Sequence, residues 1–109
     1  MNLSLLLITN HFISDFLLQT DAMAINKSKR WDYLALHVFV YSITFLWLGW
    51  KFSLITFITH FITDAISSRI SRRLYYPVFH RRWFFACIGL DQLIHYWTLA
   101  LTHSWLFDK

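Results

Sequence analysis

Eighteen consecutive residues, Tyr33 to Trp50 (YLALHVFVYSITFLWLGW), carry no formal charge. That is close to the minimum of roughly 17 residues that a helix needs to span bilayer hydrocarbon. Three further apolar runs accompany it, from about Asn2 to Thr20, Phe52 to Ser68 and Trp83 to Phe107, each interrupted by one aspartate: Asp15, Asp64 and Asp91. A bilayer is crossed only by helices or closed barrels, and continuous apolar runs lack the alternation of barrel strands. The reading is therefore an all-α fold: one domain over residues 1–109, a membrane bundle of four transmembrane helices. Composition agrees, since 57% of the 109 residues are hydrophobic and only 15% are charged, too few to cover a soluble domain of this size with polar surface. The N-terminal run has no Lys or Arg before it and no small-residue cleavage site before Asp21, so it is expected to be retained rather than removed as a signal peptide. The single Cys87 makes no internal disulfide and lies in an apolar run, where a small core hydrophobe is the expected role.

The basic residues orient the bundle. Lys27, Lys29, Arg30, Arg69, Arg72, Arg73, Arg81 and Arg82, eight of the ten, fall in the first and third connections, which share one side of the membrane. The positive-inside rule makes that side cytoplasmic and both termini external, a multi-pass protein of a bacterial inner membrane. Trp31, Tyr33 and Trp83 form the expected cytoplasmic aromatic belt, and Trp47, Trp50 and Trp105 the outer one. The net charge of +4 then reports orientation, with no nucleic-acid partner expected; the bilayer itself and anionic head groups near SRRLYYPVFHRR are the expected partners.

Each run also carries a polar pair four residues apart: His11 and Asp15, His37 and Tyr41, His60 and Asp64, Asp91 and His95. Four residues is about one helical turn, so each pair occupies one helix face. The face continues through Ser53, Thr56, Ser67 and Ser71 in the third run and Thr98 and Thr102 in the fourth. Counted from the basic connections at about 1.5 Å per residue, all eight residues lie in one slab roughly 7 to 18 Å from the inner interface. An ionised aspartate in hydrocarbon costs several kcal/mol unless it is paired, hydrated or bound to metal, so the four pairs are expected to form one site. Thr9, Ser42, Thr44 and His103 are expected to serve packing or the interface.

The string HFISDFLLQTDAMAINKSKRW, followed by LHVFVY, HFITD and LDQLIH, resembles the small bacterial and phage membrane proteins catalogued as domain of unknown function 3307. The resemblance covers about Asn10 to His95. It implies an integral membrane protein and nominates His11, Asp15, Gln19, Asp21, Lys27, His37, His60, Asp64, Asp91, Gln92 and His95 as signature polar residues. It implies no particular activity.

Imidazoles and carboxylates without thiolates suit Zn²⁺, Mn²⁺ or Fe, and helical bundles hold one or two such ions with inward His and carboxylate pairs. The expected metal ligands are His11, Asp15, His37, His60, Asp64, Asp91 and His95, with Tyr41 and Gln92 beside them. An open coordination position would support hydrolysis of a lipid or lipid-linked ester or phosphoester. Asp15 is the expected proton acceptor, because it lies nearest a mouth where Gln19, Asp21 and Lys27 would meet a head group. Two other readings stand beside this one: a proton or cation relay, which requires a homo-oligomer to enclose a path, and a non-catalytic accessory factor of phage or host.

Overall fold

The computed structural model describes residues 2–20, 23 and 26–108; Asp21, one of the expected mouth residues, lies outside the described residues. Among the described residues the fold is all-helical. Helix α1 spans Leu3–Phe12 and continues into one π turn, Ile13–Leu17; α2 spans Trp31–Ile43, α3 Trp50–Tyr75 and α4 Arg81–Phe107. The helices run alternately up and down, with α3 and α4 forming the most extensive contact and α2 packing against α3.

Local chemistry sets the ends of these elements. The side chain of Asn2 accepts from the Leu5 amide at 2.9 Å, satisfying one of the amides that a helix start leaves unpaired. Within α1 the register widens to i→i+5, with Leu18 N–H donating to Ile13 C=O at 2.9 Å, and the widened turn carries Asp15. Between α2 and α3 the chain closes through one 3₁₀ turn, Leu46–Leu48, and Gly49 at φ 101°, a conformation that favours glycine.

Two boundaries differ from the sequence-based expectation. Helix α2 stops at Ile43, so the uncharged run to Trp50 is shared between a helix of 13 residues and a turn. Helix α3 continues to Tyr75, which puts Arg69, Arg72 and Arg73 on a helix rather than in the third connection. Its end coincides with the step to Pro77, whose preceding residue disfavours helical backbone; Tyr76 is extended at φ −135°, ψ 139°. As a consequence one described helix, α4 with 27 residues, is long and apolar enough to cross a membrane, while Leu3–Leu17 is apolar but shorter.

Polar side chains form most of the buried face of α3, beside Phe52. On α3 the inward face is Ser53, Thr56, His60 and Asp64, all buried, whereas Leu54, Ile58, Ile62, Ile66 and Ile70 form an outward stripe, each about half exposed. Leu7, Tyr41, Phe45, Phe52 and Leu99 close one end of the bundle as an apolar plug. The opposite end opens into a cavity of about 1060 Å³ whose wall includes Asp15, Asp64 and Asp91 together with Lys27, Arg72 and Arg73. Along the bundle axis the order is therefore apolar plug, buried polar layer, basic mouth.

Candidate metal centre

Four donors meet in the polar layer, one from each of the π turn and α2 and two from α3. His37 Nε2 lies 3.1 Å from Asp15 Oδ1 and 3.2 Å from Asp64 Oδ2. His60 Nε2 lies 3.6 Å from the same Asp15 oxygen and 3.3 Å from the same Asp64 oxygen. The two ring nitrogens are 3.3 Å apart. All four residues are buried, and their donor atoms lie within 4.8 Å of one another. This buried cluster has the composition and spacing to hold a metal ion.

The distances bear on what the cluster can hold. In a tetrahedral site with metal–ligand distances of about 2.0 Å, neighbouring ligand atoms are about 3.3 Å apart. The five separations above run from 3.1 to 3.6 Å, matching five of the six edges of such a tetrahedron, and the remaining carboxylate–carboxylate edge is within 4.8 Å. Direct hydrogen bonding accounts for the arrangement less well: Asp15 Oδ1 is buried and meets no donor with hydrogen-bond geometry, although His37 Nε2 is 3.1 Å away. Two imidazole nitrogens that face each other and also face two carboxylates are better satisfied by a shared cation than by one proton each.

A second group adjoins the first through Asp64. His95 Nε2 is 3.2 Å from Asp64 Oδ1 and 3.1 Å from Asp91 Oδ1, and these three residues also lie within metal-holding distance of one another. Nδ1 of His60 and of His95 meets no protein partner, so whatever sits at Nε2 selects the tautomer of each ring. Ser67, one turn beyond Asp64, donates its hydroxyl to Asp91 Oδ1. Sequence reasoning placed Ser67 on the polar face but not in the site; its i+3 spacing from Asp64 was the available signal.

His11 and Tyr41 stand beside the cluster rather than in it. Gln92 Nε2 donates to Asp15 Oδ2 at 3.1 Å and to Asp91 Oδ2 at 3.2 Å, while Gln92 Oε1 lies 2.7 Å from His11 Nε2. A carboxamide oxygen only accepts, so His11 Nε2 carries the proton and, in the neutral ring, Nδ1 accepts from the Tyr41 hydroxyl at 2.6 Å. His11 Nε2 is 3.8 Å from Asp15 Oδ2. Asp15, expected as the proton acceptor, has Oδ1 among the four donors and Oδ2 turned to Gln92. Lys27 Nζ reaches Asp64 Oδ2 at 3.5 Å, and Gln19 lines the cavity wall with it.

A family profile described as protein of unknown function (DUF3307) matches residues 3–108, and the chain belongs to that family. Comparison with curated proteins and with solved structures gives no match.

Proposed function

We propose that the chain is an integral membrane metalloprotein whose buried His and Asp cluster hydrolyses phosphoesters of membrane amphiphiles entering from the basic end. The observation that carries the metal assignment is the set of five separations between 3.1 and 3.6 Å among four buried donor atoms. With two imidazoles and two carboxylates as donors, Zn²⁺ fits the set, and Mn²⁺ and Fe²⁺ share its ligand preferences.

The membrane reading is supported by the outward face of α3. Five aliphatic side chains, Leu54 to Ile70, face outward on α3 opposite a buried Ser, Thr, His and Asp face, an arrangement that water penalises and hydrocarbon favours. The longest dimension, 47 Å, is close to the 40–45 Å of a bilayer with its head groups. Trp31 and Trp83 at the basic end and Trp47, Trp50 and Trp105 at the other are each at least half exposed, as aromatic belts require. Helices α1 and α2 are short for a span, and local thinning or flanking interfacial residues accommodate short spans at modest cost.

The catalytic reading is supported by access. Asp15, Asp64 and Asp91 line the wall of the cavity, and Lys27, Lys29, Arg72 and Arg73 line it nearer the mouth, where an anionic phosphoryl group would be drawn in and oriented. A divalent ion held by Asp15, His37, His60 and Asp64 would supply Lewis acidity and lower the pKa of a bound water toward neutral pH. As water adds, the ester P–O bond breaks, and Asp15 takes the water's proton through Oδ2 and returns it to the leaving alkoxide. Gln92, which donates to that same oxygen, holds the carboxylate in position.

Metal analysis of detergent-purified protein, coupled to turnover of phosphatidic acid and a polyisoprenyl phosphate in mixed micelles, tests the proposal. Wild type should carry at least one Zn²⁺, Mn²⁺ or Fe²⁺ per chain, lose turnover with chelator and regain it on metal addition. Asp64→Asn should lower bound metal while the protein stays in the membrane fraction. A folded wild type that takes up none of these ions overturns the metal assignment, and stoichiometric metal without turnover of either lipid overturns the hydrolase.

A further inference from the structure

We infer that the centre is binuclear, with Asp64 bridging two divalent cations: the first held by Asp15, His37 and His60, the second by Asp91 and His95. The inference rests on the metal reading above and adds to it a second site and the residue that joins the two.

Three relationships carry it. First, the two oxygens of Asp64 serve different groups: Oδ2 faces His37 and His60 at 3.2 and 3.3 Å, and Oδ1 faces His95 at 3.2 Å. A carboxylate that divides its oxygens in this way has the geometry of a bridge rather than of a chelate. Second, the rings of His60 and His95 stack with centroids 4.0 Å apart and planes within 9°, and each presents Nε2 to its own oxygen of Asp64. Imidazoles stacked at that separation, with Nε2 toward different oxygens of one carboxylate, suit two ions at the roughly 3.5–4 Å spacing of two-metal hydrolytic sites. Third, His95 Nε2 has a carboxylate oxygen on either side, Asp64 Oδ1 at 3.2 Å and Asp91 Oδ1 at 3.1 Å, and only the former has hydrogen-bond geometry. One N–H cannot serve both well, whereas one cation can.

The pairing also has an electrostatic consequence. Asp15, Asp64 and Asp91 contribute three negative charges to a buried layer, and two divalent ions contribute four positive ones. The loaded centre is left with a single positive charge, and Lys27, 3.5 Å from Asp64 Oδ2, is repelled toward the cavity it already lines. Both effects favour an anionic group between the metals and the mouth. A phosphoryl oxygen is the donor that a two-metal site clamps best.

Metal stoichiometry of the wild-type chain and of Asp91→Asn, both purified in detergent and loaded with Zn²⁺, tests this. The expected values are two ions per chain for wild type and one for Asp91→Asn. The Mn²⁺-loaded wild type supplies a readout that needs no variant: two ions about 4 Å apart give an exchange-coupled electron paramagnetic resonance spectrum, and a lone ion gives an uncoupled six-line signal. One ion per chain with an uncoupled spectrum overturns the binuclear centre and leaves the mononuclear site standing. No bound ion overturns both.

Discussion

The Tyr41 hydroxyl lies 2.6 Å from His11 Nδ1, and that contact begins a directed chain which passes through Gln92 and ends on the carboxylates of Asp15 and Asp91. Each link fixes the next: the hydroxyl proton selects the His11 tautomer, the tautomer orients the Gln92 amide, and the amide holds two carboxylates from outside the donor cluster. Outer partners of this kind typically change metal affinity or activity 10–100-fold when removed. Tyr41→Phe should therefore keep the fold, because the ring retains its contacts with Phe45 and His60, and weaken Zn²⁺ binding by about that factor. Competition with a chromophoric chelator measures it, and unchanged affinity would remove the chain from the site.

The outward stripe on α3 allows a test that separates bilayer from water. Ile62 is 55% exposed and lies near the middle of its helix. In water, Ile62→Arg at such a position falls within about 0.5 kcal/mol of neutral. In a bilayer centre an arginine costs about 2.5–3.5 kcal/mol by insertion scales. Ile62→Arg should then reduce the carbonate-resistant membrane fraction several-fold, whereas Arg73→Gln at the basic end should not. Equal recovery of both variants and wild type would argue against a lipid-facing α3.

Charge at the cavity mouth should act on substrate rather than on metal. Arg72 and Arg73 line the cavity yet are exposed, so screened contacts with a phosphoryl group are expected. The double substitution Arg72→Gln, Arg73→Gln should raise KM for an anionic lipid phosphate several-fold, leave bound metal unchanged and flatten the salt dependence of kcat/KM. A fall in metal content with no change in KM would contradict this role.

The proposed membrane topology makes the basic end cytoplasmic. A reporter fused after Lys109 should give an external signal and one inserted at Ser28 a cytoplasmic one. The reverse pattern would place the cavity mouth on the outer leaflet while leaving the geometry of the donor cluster as it is.

Much of this could be read from the residues alone, because helical period is a local property. The spacing of four between His60 and Asp64, or between Asp91 and His95, already puts both members of each pair on one face, and the long apolar runs already point to helices. What periodicity cannot supply is the rotation and tilt of one helix against another. Those depend on how Phe45, Phe52 and Leu99 interlock at the plug and on the π turn at Ile13–Leu17 that carries Asp15. Only that packing separates His11, four residues from Asp15 in sequence yet bonded to Tyr41 and Gln92, from His37 and His60, whose Nε2 atoms lie 3.3 Å apart. It likewise assigns the two oxygens of Asp64 to different histidines, since a residue's spacing along the chain limits which face it shares but not which atom of a neighbouring helix its side chain meets.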